Sequence, residues 1–361
     1  MSTVHAVIPD GVDDSRRPSG GNVYDRRVLD GLRTLGWTVH EHPVPGPWPG
    51  AGPTTRAALG TTLRELPDDS LTLLDGLVVS AAPEVGAAAA ARLRLVVLAH
   101  MPFGHADPPA AAGERMALAA AVGVVTTSRW TRDWLLSHYG LPAEVLHVVE
   151  PGVEPAAVAP GTSTGGELVC VAAVTPGKGH DVLLSALADV TDLGWRCTCV
   201  GALDLDPGFV SGLRRAAAAS GLADRVRFTG PLVGADLDRA YDEADVLVLA
   251  SRGETYGMVV VEALARGLPV LATEVGGVPD ALGRSTGGSG PGLLVPAGDV
   301  HALAEALRRW LTEPDLRDRL RRAATARRAT LRAWPETAGA LGKVLAEVLD
   351  EPPRRPVRMA W

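Results

Sequence analysis

Two glutamates stand eight positions apart in segment 250–279, which reads ASRGETYGMVVVEALARGLPVLATEVGGVP. Glu254 lies in a polar loop, and Glu262 lies in a helical pattern that is apolar on nearly every side. A carboxylate in such a helix needs a partner, because an unpaired buried charge is unstable. Eight helical residues span about 12 Å. The two acids therefore suit different parts of one extended ligand, each accepting hydrogen bonds from neighbouring hydroxyls such as those of a ribose or another sugar.

The backbone between the two glutamates opens the helix. Thr255, Tyr256, Gly257 and Met258 contribute the first N–H groups of that element. Helix N-termini bind phosphate, because their N–H groups are unpaired and the helix dipole favours negative charge. The sequence thus predicts a site where sugar, diphosphate and ribose lie in order along one element.

A lysine occupies a glycine-rich turn in the segment VAAVTPGKGH, residues 171–180. Lys178 has a glycine on each side, follows a strand pattern and precedes a helical one. Such a lysine is a suitable point charge for a diphosphate, with Thr175 nearby as a second polar group. The alternative is an ordinary exposed lysine in a loop.

Three features of the first half can reach a ligand. Gly20 and Gly21 end a loop and open a helix, where a ligand can approach the backbone closely, with Asn22 as a possible cap. His100 follows an apolar strand, so it either faces a ligand at the strand end or caps a loop. Ser128 starts another helix and fits a plain N-cap.

We expect no metal site and no cofactor. Asp204 and Asp206 form a D-x-D pair, but they precede a proline and a helix and are better explained as helix-start acids. Cys170, Cys197 and Cys199 lie in strand patterns without a neighbouring cluster of metal ligands. So few thiols are typical of a reducing cytoplasm.

The elements that must position these residues alternate as strand and helix from end to end. This rhythm predicts an α/β fold of parallel sheets with helices on both faces. A segment rich in Pro, Gly, Ser and Thr interrupts it. We predict a first domain over 1–150, a linker over 151–166, a second domain over 167–334, and a C-terminal helix and tail over 335–361 that pack back toward the first domain. Ligands of such sheets bind beyond the strands' C-terminal ends, in a cleft between facing domains.

Composition excludes several classes of protein. The chain has 361 residues, 46% of them hydrophobic and 21% charged, which excludes a disordered chain. A net charge of −7 argues against a nucleic-acid partner. The N-terminal residues lack a signal-peptide pattern, and we expect a cytoplasmic protein. Segment 317–332 carries seven arginines, either as a patch for an anionic membrane surface or, as we favour, as a solvated helix face.

The glutamate segment resembles a known family motif. Glu254 and Glu262, within GETYGMVVVEALARGLPV and followed by GGVP at 276–279, resemble the E-x7-E motif of retaining glycosyltransferases of family 4, which have the GT-B fold. The resemblance implies two Rossmann-like doubly wound domains and a donor sugar linked to UDP or GDP. It also implies that Glu254 contacts the donor sugar and Glu262 the ribose, with His100 near the transferred sugar and the Gly20–Gly21 loop near phosphate or acceptor.

One position departs from the family pattern. Lys178 matches the lysine of the family's G-R-x4-K-G stretch, but Ala173 stands where its arginine is expected. Thr175, a nearby arginine or the helix start at Gly179 can compensate. The resemblance implies metal-independent hexosyl transfer with retention, to an acceptor that the sequence does not identify. The alternatives are a nucleotide-sugar-binding protein with weak or no transferase activity, and a nucleotide-sugar epimerase on the same architecture.

Overall fold

The structure, a computed structural model, describes residues 2–14, 16, 18–283 and 290–350. Its contacts divide the chain into two compact units. The first comprises Met1–Asp13, Ser19–Gly152 and the chain from Arg332 onward, and the second comprises Asp14–Pro18 and Val153–Leu331. Each unit holds one parallel six-stranded sheet with flanking helices, so the predicted α/β fold with two parallel sheets is confirmed.

The first sheet has the strand order β2-β1-β3-β4-β5-β6, with every pairing parallel. Its strands, apart from the largely polar edge strand TVHEHPV, are mostly apolar runs, as expected where helices cover both faces. They are β1 (Thr3–Pro9), β2 (Thr38–Val44), β3 (Leu71–Asp75), β4 (Arg94–Ala99), β5 (Gly123–Thr126) and β6 (Leu146–Val148). The helices of this unit are α1 (Gly20–Thr34), α2 (Pro53–Glu65), α3 (Gly76–Ala81), α4 (Pro83–Ala90), α5 (Phe103–Ala106), α6 (Ala111–Ala120), α7 (Arg129–Tyr139) and, near the C-terminus, α15 (Trp334–Asp350).

The second sheet has the order β12-β11-β10-β7-β8-β9 and is also parallel. Its strands are β7 (Glu167–Val171), β8 (Arg196–Val200), β9 (Val226–Gly230), β10 (Val246–Leu249), β11 (Val270–Thr273) and β12 (Gly292–Val295). Its helices are α8 (His180–Ala188), α9 (Pro207–Ala219), α10 (Ala235–Asp242), α11 (Met258–Ala265), α12 (Val278–Leu282), α13 (Val300–Thr312) and α14 (Pro314–Arg327).

Both faces of the second sheet are covered by a hydrophobic core. On β7, Leu168 and Cys170 belong to one buried cluster, and Val169 between them belongs to the other. Successive strand side chains point to opposite faces, so this alternation places a core on each side. Cys197 and Cys199 lie in the same cluster as Cys170, and all three thiols are buried.

Helix α15 belongs to the first unit. The Trp334 ring meets the Tyr24 ring of α1 edge to face, with 5.9 Å between centroids. The hydroxyl of Thr337 donates to the carbonyl of Glu150 over 2.9 Å. The C-terminal helix is therefore held to α1 and to the segment after β6 by both apolar and polar contacts.

The predicted linker, residues 151–166, is hydrogen-bonded at its C-terminal end to a buried acid of the second unit. The carboxylate of Asp245 is buried and accepts hydrogen bonds from the Thr162 hydroxyl at 2.6 Å, the Glu167 N–H at 2.9 Å and Arg321 at 2.7 Å. Three donors satisfy a charge that would otherwise be unstable away from water. Residues 153–166 accordingly belong to the second unit.

The arginine-rich segment 317–332 is not simply a solvated helix face. Arg317 is only 9% exposed and donates to the Trp310 and Leu311 carbonyls. Arg328 likewise donates to the Ala265 carbonyl. Guanidinium groups satisfy several backbone acceptors at once, so these arginines fasten α14 to its neighbours. Within the described ranges, no helix is both long and apolar enough to cross a membrane.

Candidate functional site

Lys178 and Glu254 meet at one edge of the second sheet. Lys178 follows β7 and Glu254 follows β10, and these strands are parallel neighbours, so their following loops lie side by side. The Lys178 Nζ lies 2.6 Å from Oε1 of Glu254, with side-chain exposures of 32% and 13%. Ser251 Oγ donates to the same oxygen over 2.9 Å. The structure thus brings together two residues that stand 76 positions apart in sequence.

The start of α11 presents an open helix terminus beside this ion pair. The helix begins at Met258 and has no side-chain cap. Gly257 precedes it with a φ of +93°, a conformation that favours glycine. Free N–H groups at such a terminus favour anions. Thr255 and Met258 are half-buried here, whereas the ring of Tyr256 packs into the core, so only the backbone of Tyr256 can serve a ligand.

A glycine pair supports the loop that carries Glu254. A Cβ on Gly276 would lie 1.6 Å from the Glu254 carbonyl oxygen, and the φ of Gly276 is +51°. The N–H of Gly277 donates to that same carbonyl over 3.1 Å. Gly276 therefore allows the Glu254 loop to pack closely against the GGVP segment, because a residue with a Cβ at this position would clash with the loop.

Glu262 is held by a tyrosine of the preceding helix. The hydroxyl of Tyr241 donates to Oε2 of Glu262 over 2.8 Å. The guanidinium of Arg266 stacks over the Tyr241 ring, 4.6 Å from its centroid, and donates to the Glu262 carbonyl. Burial raises the pKa of Glu262, and the Tyr241 hydrogen bond and the charge of Arg266 act against that rise. The partner that this half-buried acid was predicted to need is thus supplied in part by Tyr241 of the same unit.

Arg252 is the arginine beside the Lys178 turn. Its N–H donates to the Gly177 carbonyl over 2.8 Å, and its guanidinium binds both oxygens of Asp181, at 2.9 and 2.7 Å. Lys178 closes its own turn by donating from N–H to the Thr175 carbonyl over 3.0 Å. The arginine beside the Lys178 turn is therefore already bound to a carboxylate.

His100 lies in a buried polar cluster of the first unit. Its Nε2 is 2.8 Å from Oδ1 of Asp25 on α1 and 3.5 Å from Oδ2 of Asp75 at the end of β3. Both aspartates are buried. Oδ1 of Asp75 also accepts the N–H groups of Leu77 and Val78, at 2.8 and 3.1 Å, and so caps α3. His100 is thus at a strand end, as expected, but with two acids that contact it.

These acids change how the cluster titrates. Burial alone would lower the pKa of His100, but the charges of Asp25 and Asp75 outweigh it and raise that pKa to about 8. Burial and the neighbouring Asp25 also raise the pKa of Asp75 above its usual range. An imidazolium is therefore favoured here near neutral pH.

The predicted glycine loop meets His100 directly. A Cβ on Gly21 would lie 3.3 Å from Cδ2 and 3.4 Å from Cγ of the His100 ring. Helix α1 begins at Gly20, and Ser19 caps it by accepting the Asn22 N–H over 3.1 Å. The expectation that Asn22 caps this helix is wrong, because its own N–H is the one that is capped.

Two other sequence interpretations agree with the structure. Ser128 caps α7, accepting the Thr131 N–H over 3.0 Å. Asp206 caps α9, accepting the Phe209 N–H over 2.9 Å, as expected of a helix-start acid. These side chains stabilise helix ends.

Among the described residues, one group of three acids or histidines lies close enough to share a cation, and it is the cluster of Asp25, Asp75 and His100. Their polar atoms all lie within 4.8 Å of one another. The 2.8 Å between Nε2 and Oδ1 is a hydrogen-bond distance with a proton between the atoms. We therefore interpret the cluster as a hydrogen-bonded network.

Two protein-family models match this chain, one in each half. Residues 18–157 match the family described as Glycosyltransferase Family 4, and residues 161–327 match Glycosyl transferases group 1. The chain belongs to glycosyltransferase family 4. The segments of Lys178 and of both glutamates fall within the second match, and those of Gly21 and His100 within the first.

Several relatives carry one recurring description. The D-inositol 3-phosphate glycosyltransferase of Streptomyces avermitilis is 34% identical over 275 residues, covering 70% of this chain and 58% of that protein. That of Catenulispora acidiphila, numbered 1, is 30% identical over 274 residues, covering 70% of this chain and 64% of that protein. The chain thus spans about three fifths of the length of these curated relatives.

Solved structures share the fold at low sequence identity. Sucrose-phosphate synthase from Thermosynechococcus elongatus has a TM-score of 0.79 at 20% identity, covering 96% of this chain and 99% of that one. Anabaena HepE in complex with UDP-glucose has a TM-score of 0.78 at 19% identity, covering 96% and 100%. At such identities the likeness concerns the GT-B fold.

Sequence reasoning missed the residues that hold the predicted ones. Asp75 ends a buried strand, which is a signal for a ligand-facing or capping acid. Asp25 interrupts the apolar stripe of Val28, Leu29 and Leu32 on α1, so an acid on a buried helix face was visible. Tyr241 gave no local signal, because it contacts Glu262 from a different helix.

Proposed function

We propose that this chain is a retaining hexosyltransferase that moves a sugar from a nucleotide-sugar donor to an acceptor without a metal ion. The observation that carries the proposal is the ion pair between Lys178 and Glu254 at the uncapped start of α11. A cation, a carboxylate and a helix N-terminus together suit a sugar diphosphate.

The ion pair suits exchange with a ligand. Lys178 is one-third exposed, so a diphosphate can reach its ammonium group without rearranging the core. When the lysine binds phosphate, Oε1 of Glu254 becomes free to accept sugar hydroxyls while Ser251 still holds it. We infer that the pair preorganises both groups and that donor binding replaces one charge contact with two.

We assign Glu262 to the ribose, and its surroundings support that role. It lies in the second turn of α11, and one carboxylate oxygen is bound by Tyr241. The other oxygen has acceptor capacity left for a diol. Because Tyr241 fixes the carboxylate, little side-chain entropy is lost when a nucleoside binds.

The proposed chemistry places positive charge where the leaving diphosphate develops negative charge. Lys178 and the N–H groups at the start of α11 supply it, which is why we expect no metal requirement. The departing phosphate takes the proton of the attacking acceptor hydroxyl on the same face of the sugar, so the anomeric configuration is retained. Glu254 then binds and orients the donor and does not act as a nucleophile.

The comparisons suggest which ligands to test first. HepE was solved with UDP-glucose, and the relatives are named D-inositol 3-phosphate glycosyltransferase. We propose a UDP- or GDP-linked sugar as donor and treat an inositol phosphate as the first acceptor to assay.

The experiment is a panel of UDP- and GDP-sugars tested by calorimetry and by nucleotide release, with and without inositol phosphates. We expect binding of one donor class and acceptor-dependent release of its nucleotide diphosphate, with the product keeping the donor's anomeric configuration. The proposed site would be rejected if all three single variants, Lys178→Ala, Glu254→Ala and Glu262→Ala, released nucleotide at near-wild-type rates.

The second candidate is a nucleotide-sugar-binding protein with weak or no transferase activity. Ala173 and the engagement of Arg252 by Asp181 favour it, because both leave Lys178 as the main cation for the leaving group. Tight donor binding without turnover under every acceptor would support this candidate. Conversion of the donor to an isomer without acceptor would instead indicate an epimerase.

A further inference from the structure

A buried cluster in the first unit is not used by the donor site described above. It contains two carboxylates, Asp25 and Asp75, against one imidazole, His100. These three side chains come from α1, the end of β3 and the end of β4. An arrangement drawn from three separate segments, with both acids buried, needs a reason, because buried carboxylates are unstable without partners.

The two ring nitrogens of His100 have different surroundings. Nε2 is engaged by Asp25 at 2.8 Å and faces Asp75 at 3.5 Å. Nδ1 has no hydrogen-bond partner among the residues that the structure describes, and it is not one of their enclosed unpaired polar atoms. The ring is therefore held at Nε2, and 18% of the side-chain surface remains exposed.

The orientation of the ring is fixed by its neighbours. Gly21 lies against the Cδ2 edge, where a Cβ would come within 3.3 Å. Tyr24 meets the ring edge to face, with 5.4 Å between centroids, and its own hydroxyl is bound to the Val149 carbonyl. Thr127 donates to the backbone carbonyl of His100 over 3.3 Å. The Gly21 and Tyr24 contacts and the Asp25 hydrogen bond together favour the orientation in which Nε2 faces the aspartates.

We propose that Asp25 and Asp75 are positioning residues that hold His100 by its Nε2–H, so that the ring presents Nδ1–H to an oxygen atom of the substrate. The inference rests on the proposed function, since it assumes a substrate rich in hydroxyl or phosphate oxygens. With Nε2–H bound to Asp25, Nδ1 donates only when the ring is an imidazolium. His100 then acts as a charged hydrogen-bond donor and not as a general base.

The groups that face His100 agree with this charge state. From α1 come Asp25 and Tyr24, and from β3 comes Asp75. Thr127, from the loop after β5, does not titrate. The two aspartates are the charges that favour the protonated ring. Tyr24 keeps its proton, because burial raises its pKa well above the usual range.

The first test is a pH titration of the nine histidines by NMR on the full chain labelled with ¹⁵N-histidine, with His100→Gln to assign the signal. In the wild type we expect His100 to titrate near pH 8. Asp25→Asn should lower this midpoint by about one pH unit or more, and Asp75→Asn by less, because its oxygen is farther away. Asp30→Asn, on the exposed side of the same helix, is the matched control and should leave it unchanged.

The second test is the pH profile of kcat/KM with the donor that the panel above identifies. Activity should fall on the alkaline side as His100 loses its proton, and Asp25→Asn should move that limb to lower pH by the interval seen in NMR. At pH 8 the loss relative to wild type should be about fivefold larger than at pH 6, because a midpoint lowered from about 8 to about 7 reduces the protonated fraction at pH 8 from about one half to about one tenth. A merely structural role would lower activity equally at both pH values. Asp25→Glu, which keeps the charge, should restore most of the alkaline activity.

Three results would overturn the inference. They are a wild-type His100 midpoint at or below 6.5, a midpoint that Asp25→Asn does not move, and an activity limb that stays in place while the midpoint moves. If Asp25→Asn does not fold, Asp75→Asn and Asp25→Glu give the same comparison with smaller shifts. If the wild type turns over no nucleotide sugar, the proposed function fails, and the NMR titration still decides how His100 is held.

Discussion

The C-terminal strand ends of the two sheets both carry charged side chains, but the two sheets hold these side chains in different ways. At the edge of the second sheet, Lys178 and Glu254 lie on short glycine-rich loops, are partly exposed and are paired with each other. At the edge of the first sheet, His100 is held by Asp25 and Asp75, which are buried and belong to separate elements. One region keeps its charged groups available for exchange, and the other fixes a single charged ring.

The difference teaches where preorganisation comes from. In the second unit, the site is preorganised mainly by backbone geometry, because Gly257 and Gly276 shape a loop and an open helix start. In the first unit, side-chain hydrogen bonds do it, because a ring on a strand end needs neighbours to fix its orientation. Substitutions should therefore act on binding and turnover in one region, and on pH dependence in the other.

The largest effect is expected from Lys178→Ala. Losing one preorganised charge at the leaving group should lower kcat by about a hundredfold to a thousandfold. Lys343→Ala is the matched control, since Lys343 is the other lysine of the chain and is exposed on α15. Steady-state nucleotide release measures both. Equal activity of the two variants would contradict the role of Lys178 in the second unit and so remove one side of the comparison.

The next largest effect is expected from Gly276→Ala. Its Cβ would meet the Glu254 carbonyl, and its φ of +51° is strained for alanine, so unfolding free energy should fall by about 3 kcal/mol. Gly140→Ala separates the two causes, because Gly140 is in the left-handed conformation with a similar φ of +62° and has open space around it. Urea unfolding should show a loss of only about 1 kcal/mol there. Similar losses in both variants would mean that the loop contact contributes nothing.

Glu262→Gln should weaken nucleotide binding more than it weakens turnover at saturating donor. A hydrogen bond to a charged group contributes about 1.5–3 kcal/mol, so Kd should rise about tenfold to a hundredfold. Tyr241→Phe removes only the group that orients Glu262, and it should raise Kd by a smaller factor. Calorimetry with the donor measures both, and Glu305→Gln, exposed on α13, is the control. An unchanged Kd in Glu262→Gln would remove this residue from the site.

The His100 cluster predicts a pH effect on stability with a definite sign. The folded pKa of His100 is raised from 6.5 to about 8, so its contribution is complete below pH 6.5 and is lost as pH rises through 8. That shift corresponds to about 2 kcal/mol. Asp75 acts in the same direction, because its pKa is also raised. As the pH rises from 6 to 9, the urea concentration at the unfolding midpoint should decrease. The decrease should be smaller in His100→Gln than in the control His301→Gln, which replaces an exposed histidine. A midpoint that rises over this range would contradict the assignment.

The smallest effect is expected from removing metal ions. We expect nucleotide release to be unchanged by EDTA, because in the proposed mechanism Lys178 and the start of α11 supply the positive charge. Loss of activity with EDTA that added Mg²⁺ or Zn²⁺ restores would contradict metal-independent transfer, and the Asp25, Asp75 and His100 cluster would then be the first place to look for a cation.

Much of this molecule was predictable because its signals are local. The alternation of apolar strands and helices determined two parallel sheets, since a buried strand must be apolar on both faces. Glu254, Glu262 and Lys178 were identifiable as site candidates because their loops and helix carry turn glycines and a misplaced charge within a few residues. Ser128 and Asp206 were readable as helix caps for the same reason.

Only the tertiary structure decided which side chains touch. The partners of His100 stand 75 and 25 positions before it, and Tyr241 reaches Glu262 from another helix, so no local pattern links these pairs. Asp25, Asp75 and Tyr241 acquire their roles when strand order and helix packing bring distant segments within 3.5 Å of their partners. Hydrogen bonds act over a few ångströms of space, whatever the separation along the chain. The sequence by itself thus specified the elements and their chemistry, and the fold specified the contacts.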